Sequence, residues 1–154
     1  MDRVEKLREY IDAILLNKED SFDRRCAYVH LYGVAQACVL LAKKRGLNEE
    51  LAVMAGMLHD IYTYKVTYTK EHGEKGAAIA CEILEELGIT TAKETHIICN
   101  AIYNHSYKEK VGSPYDELLK DADVLQHCIY NPAFPVLEKE EKRYNSILAE
   151  LGIN

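Results

Sequence analysis

Apolar residues recur along this chain every three to four positions, and most runs of that period are bounded by a start or stop signal. Val4, Leu7, Ile11, Ile14 and Leu15 lay one apolar face along residues 2–17. A second helix is predicted from Asp20 or Ser21, with Asp23 in its first turn, to about Arg45, where Gly46 ends it. His30, Val34, Ala37 and Leu41 share one stripe of that helix, so His30 faces inward. Asn48 caps a third helix in which Ala52, Ala55, Gly56 and His59 fall on one face. Small residues beneath His59 predict a close approach by a neighbouring helix. Residues 61–70 have strand propensity, but no other stretch offers a partner strand, which predicts an extended loop.

The helical period returns from Glu71 to Leu87, with His72, Gly76, Ile79, Ala80, Ile83 and Leu87 aligned and Gly88 as terminator. Thr91 and Glu94 form a capping-box pattern for a fifth helix running to about His105, with Ile98, Ala101, Ile102 and His105 on its apolar side. Ser113, Pro114 and Asp116 mark the start of a sixth helix, on which Leu119, Ala122, Asp123 and Gln126 share a face. The run 131–135, with its two prolines, breaks that helix before a terminal one at about 137–151. The expectation is an all-α fold: a compact single-domain bundle of six to seven helices over residues 1–154, with its chemistry between about 24 and 130.

Length agrees with one domain, since 154 residues bury a substantial core but are short for two. No apolar run reads as long enough to span a membrane, and the charged start of the chain lacks the apolar centre of a signal peptide, so no membrane partner and a cytoplasmic location are expected. The five cysteines, Cys26, Cys38, Cys81, Cys99 and Cys128, are odd in number and sit in helical patterns, which reads as reduced core residues. A net charge of -6 gives no general grip on a polyanion, so no nucleic acid polymer is expected as partner. A small phosphate ester is compatible with it. Nothing in the pattern fixes the oligomeric state.

The chemistry lies in what the apolar stripes contain. His30, His59, His72, His105 and Asp123 sit on inward faces of five helices, with Asp60 beside His59. A single buried histidine is ordinarily a hydrogen-bonded core residue. So many buried ionisable groups without partners would cost several kcal/mol each, so they are expected to pair with one another or with a metal.

His30, then His59-Asp60, then Asp123, each on a helix, resembles the HD domain superfamily of metal-dependent phosphohydrolases. The segments around Leu51–Asp60, Glu71–Ala77, Ala101–Ser106 and Leu118–Leu125 agree with it. The resemblance implies an HD-type helical fold in which His30, His59, Asp60 and Asp123 hold one divalent metal. In two-metal members, histidines placed like His72 and His105 hold a second ion, with the Asp60 carboxylate bridging. It implies a hydrolase acting on a small phosphate ester or anhydride, a nucleotide, by attack of a metal-bound hydroxide on phosphorus, with His59 and Asp60 at the catalytic centre. Mixed histidine and aspartate ligands suit Mn²⁺, Fe²⁺, Co²⁺, Ni²⁺ or Zn²⁺. The alternative is a nucleotide-binding or regulatory module with a structural metal and no turnover.

One position departs from the family's pattern: Thr63 stands where many HD hydrolases carry lysine, and Lys65 comes two residues later. Arg24, Arg25, Lys65, Lys75 and Lys108 are the cationic candidates for contact with substrate, and each is equally a solvated surface charge. Tyr62, Tyr64, Tyr68 and Tyr107 are candidates to stack on a base. Asp121, His96 and His127 read as structural or surface residues, with His127 placed to orient Asp123.

Overall fold

A computed structural model describes residues 2–153. Its helices are α1 (Arg3–Leu16), α2 (Ser21–Arg45), α3 (Glu49–Leu58), α4 (Ile61–Lys65), α5 (His72–Leu87), α6 (Ala92–Asn104), α7 (Pro114–Ile129) and α8 (Glu138–Leu151). Each boundary has a local cause. Asp2, Asp20 and Asn48 accept hydrogen bonds from first-turn N–H groups of α1, α2 and α3, and Thr91 with Glu94 and Ser113 with Asp116 close capping boxes at α6 and α7. Caps of this kind contribute about 1 kcal/mol each. Gly46 ends α2 in the left-handed conformation (φ 66°), which a glycine adopts without steric cost.

The all-α expectation holds, with no strand among the described residues. Residues 61–70 depart from the predicted extended loop. Ile61–Lys65 instead closes a short helical turn, with the Tyr64 N–H donating to the Asp60 carbonyl (3.3 Å) and the Val66 N–H to that of Tyr62 (2.9 Å). Fully buried Ile61 anchors the turn in the core, and that packing overrides the β propensity of its neighbours.

The long α2 is central and packs on α3 and α7, while α5 pairs with α6 and α1 lies across α2, α3, α4 and α5. Leu7, Ile11, Leu15, Leu31, Leu41, Met54, Leu58 and Ile83 form the dry interior, each contributing about 1.5–3 kcal/mol by leaving water. By length and composition alone α2 could cross a bilayer, contrary to the reading of its run lengths. Its apolar face is spent on α3 and α7 and its inner stripe carries His30, as suits the core helix of a bundle.

The pairing of α5 with α6 brings Cys81 and Cys99 face to face, with Cα atoms 6.2 Å apart, a separation that a disulfide can bridge. Asp121 is a buried structural residue: it accepts from Arg45 (2.6 Å) and Arg143 (2.7 Å), tying α7 to α2 and α8. Arg45 also reaches Glu150 (2.7 Å), and Arg143 reaches Glu117 (2.9 Å) and the Lys108 carbonyl (2.7 Å). The terminal helix is thus clamped beside the turn between α6 and α7.

Candidate metal centre

Helix ends deliver most of the polar cluster. His59 is the C-cap of α3 and His105 that of α6, Asp60 begins α4, and His72 begins α5, while His30 and Asp123 come from within α2 and α7. Each histidine is oriented through Nδ1. His59 Nδ1 meets the Gly56 carbonyl (2.8 Å), His105 Nδ1 that of Ile102 (2.6 Å), and His72 Nδ1 that of Thr69 (2.9 Å). His30 Nδ1 meets Gln126 Oε1 (2.7 Å). Since a carbonyl oxygen can only accept, each Nδ1 carries the proton and donates it. The Nε2 atoms of all four point inward.

They converge on two carboxylates. Asp60 Oδ2 lies 3.3 Å from His30 Nε2 and 3.5 Å from His59 Nε2, and Asp123 Oδ1 lies 3.6 Å and 3.8 Å from the same two nitrogens. On the other side, Asp60 Oδ1 lies 3.4 Å from His105 Nε2 and 3.6 Å from His72 Nε2. Asp60 therefore turns one oxygen to each of two histidine pairs. Its Oδ1 is buried without a hydrogen-bond partner, a costly state for a carboxylate oxygen that a cation would relieve. His30 Nε2 and His59 Nε2 also face each other at 3.1 Å. At that separation the two nitrogens need a proton or a metal ion between or beside them.

The electrostatics favour positive charge throughout. Burial pushes the His59 imidazole down to about 4 and keeps it neutral, as a metal ligand must be. Burial also lowers His30, but Asp60 and Asp123 outweigh it and raise its pKa. Burial raises the Asp60 and Asp123 carboxyls, yet the imidazoles around Asp60, and Lys108 with His59 and His30 around Asp123, hold both well below the usual range. A neutral His59 and ionised Asp60 and Asp123 are protonation states that bind a divalent ion. Three overlapping groups satisfy ligand spacing: His30, His59 and Asp60; His59, His105 and Asp123; and Asp60, His72 and His105. The residues present fit a divalent metal.

Beside them opens a cleft of about 850 Å³ with Asp60, His72, His105 and Asp123 at its base. Of the five cationic candidates, only Lys108 reaches the cluster, with Nζ 2.6 Å from Asp123 Oδ2 and 3.2 Å from the His105 carbonyl. Arg24 is bound to the Lys18 carbonyl (2.8 Å), Arg25 stacks on Phe22, Lys75 lies over Tyr62, and Lys65 is exposed at the end of α4. None of these four lines the cleft. Of the tyrosines, Tyr68 lines it, with its ring 5.2 Å from that of His72, whereas Tyr107 bonds to Glu74. His127 turns away to Glu140 (2.8 Å) rather than orienting Asp123.

The residue that orients His30 is Gln126, which the sequence pattern placed on the Asp123 face without a role. A polar residue one turn from a ligand candidate, on the same apolar stripe, was the available signal. The α8 residues in the cleft wall gave none, because their distance in sequence hides the contact.

The sequence pattern of the HD domain matches residues 27–127, which spans every residue of the cluster. The chain belongs to the HD domain family. That family is one of metal-dependent phosphohydrolases. The chain is similar to proteins named ribonuclease Y from Campylobacter hominis (31% identical over 121 residues) and from a Sulfurovum species (30% identical over 121 residues). Each alignment covers 79% of this HD chain but only 22% of the relative, so the chain spans about a fifth of those proteins' length. No solved structure matches it.

Proposed function

We propose that this HD protein hydrolyses a small phosphate ester or anhydride, specifically a nucleotide, at the cluster of His30, His59, Asp60, His72, His105 and Asp123. The carrying observation is that four imidazoles, each donating outward through Nδ1, aim their Nε2 atoms at two ionised carboxylates that line an open cleft. His30, His59, Asp60 and Asp123 would hold one divalent ion. The two oxygens of Asp60, facing different histidine pairs, support a second ion held by Asp60, His72 and His105. When bound, such ions supply Lewis acidity, acidifying water and stabilising charge that develops on a phosphoryl group.

The chain's own residues supply the rest. Gln126 and the carbonyls of Gly56, Thr69 and Ile102 fix the tautomer and tilt of the four rings. Asp60 and Asp123 lend charge, and Lys108 offsets part of it beside the cleft, easing entry of an anion. Tyr68 offers an exposed ring at the cleft wall on which a base stacks. A cleft of about 850 Å³ suits a mononucleotide and is open enough to exchange one. That openness favours an enzyme over a module with a purely structural metal, which closes its coordination sphere.

The test is a panel of nucleoside mono-, di- and triphosphates with a short RNA oligomer, assayed with Mn²⁺, Co²⁺, Ni²⁺ or Zn²⁺ and with Fe²⁺ under anaerobic conditions. Release of phosphate or pyrophosphate from a nucleotide, abolished by Asp60→Ala in a folded protein, is the expected result. Hydrolysis of the RNA alone would extend to this chain the activity for which its relatives are named, and remove the nucleotide reading. Metal binding with no turnover of any substrate would leave the regulatory module instead.

A further inference from the structure

The cleft extends beyond the histidines to α8, outside the family-matched residues, and the charge on that wall is unlike that of the chain as a whole. Lys139 and Lys142 line it, three residues apart on α8 and therefore neighbours on one helical face, and Lys110 joins them from the turn before α7. Among the described residues none of these three ammonium groups has a carboxylate within ion-pair distance, although the chain carries a net charge of -6. Lys110 instead sits over the Tyr107 ring at 4.6 Å.

The acidic groups of the same cleft wall are mostly spent elsewhere. Asp121 is paired with Arg45 and Arg143, and Glu140 with His127, leaving Glu109 as the one wall carboxylate without an ion pair among the described residues. The wall is also held in place. Arg143 grips Glu117, Asp121 and the Lys108 carbonyl, so α8 presents its lysines on a fixed support in the cleft that Asp60 and Asp123 also line. Unmatched cations and a metal-ligating cluster lining one cleft form a place for an anion with more than one charged group.

We propose that Lys110, Lys139 and Lys142 hold a second phosphoryl group of the substrate, so that the enzyme selects a nucleotide carrying two or more phosphates over a monophosphate. This rests on the nucleotide phosphohydrolase reading above and specifies its substrate class. One phosphoryl group lies over the histidines and aspartates, and the next lies against the lysines of α8.

The experiment compares the Mn²⁺-loaded wild-type chain with the Lys139→Glu/Lys142→Glu double variant, and uses Lys93→Glu, at the far end of α6 from His105, as a control for net charge. AMP and ADP are the substrates, and binding of inorganic phosphate and inorganic tripolyphosphate is measured by calorimetry. The double variant is expected to lose about tenfold or more in kcat/KM for ADP through KM, and about tenfold in tripolyphosphate affinity, with AMP and inorganic phosphate changed less than about twofold. Metal content stays that of wild type. An equal loss for AMP and ADP, or the same loss in Lys93→Glu, would overturn the proposal. Should wild type hydrolyse neither nucleotide, the functional reading fails by itself, and the tripolyphosphate titration still decides whether α8 binds a polyphosphate.

Discussion

His30 Nε2 and His59 Nε2 face each other at 3.1 Å while both Nδ1 atoms donate outward, His30 to Gln126 and His59 to the Gly56 carbonyl. Two helices are packed so that two ring nitrogens oppose, and the surrounding carboxylates make the spot attractive to positive charge, whether a proton or a metal ion. Folding has brought these groups together before any ligand arrives, so a divalent ion binds the native state selectively. At a hundredfold excess over Kd, such binding adds about 2.7 kcal/mol. For a chain of this size that raises Tm by roughly 5–10 °C. Thermal unfolding with Mn²⁺, then with excess chelator, is expected to show the gain and its reversal, and Asp60→Ala to show neither.

Gln126 and Lys108 touch ligand candidates from outside. Gln126 Oε1 fixes the His30 ring, and Lys108 Nζ holds Asp123 Oδ2, leaving Oδ1 for the site. Gln126→Ala is expected to weaken metal affinity about 10–100-fold by releasing the orientation of His30, whereas Lys108→Met removes a cation that competes for Asp123 and is expected to strengthen it. Titration of Co²⁺ into folded protein, monitored by visible absorption, measures this without reference to turnover. Unchanged affinity in both variants would mean that the two contacts are incidental.

The approach of α3 to α2 depends on Gly56. A Cβ there would lie 2.6 Å from Ala35 Cα and 2.9 Å from Ala35 N, backbone atoms that cannot swing aside. Gly56→Ala is expected to lower stability by about 1–3 kcal/mol. The metal affinity should fall with it, because the displaced helix carries His59. Gly76→Ala is the contrast: its nearest neighbour would be the His59 carbonyl at 3.4 Å, an ordinary contact, and α5 gains helix propensity. Denaturant unfolding of the two variants should move in opposite directions.

Acid sensitivity has a source away from the cluster. The Thr91 backbone N–H and Arg3 hold the Glu94 carboxyl down to about 2, from an ordinary 4.5. A carboxylate whose pKa is lower in the folded chain contributes stability that is full above 4.5 and disappears as pH falls toward about 2. Glu94→Gln keeps an oxygen for the Thr91 N–H but removes the charge. Wild type is therefore expected to be the more stable protein at neutral pH, and the two Tm curves to converge between pH 4.5 and about 2.

The α1, α2, α3, α5, α6, α7 and α8 boundaries were legible because they depend on neighbours in sequence: Asp20, Asn48, Thr91 with Glu94, and Gly46 act within one turn. Periodicity also turned His30, His59, His72, His105 and Asp123 inward, since a helix fixes which residues share a face. The turn at Ile61–Lys65 was not legible, because burial of Ile61 against other helices outweighs a local strand preference. Nor was the approach of Cys81 to Cys99, which needs the pairing of α5 with α6. Sequence alone thus determined that this is an all-helical HD protein with inward-facing histidines and aspartates. Only the tertiary structure decided that Asp60 turns one oxygen to each histidine pair, that Gln126 rather than His127 supports the cluster, and that Lys108 joins it while Arg24, Arg25, Lys65 and Lys75 do not. Those outcomes depend on distances between helices far apart in the chain, which no local pattern of residues encodes.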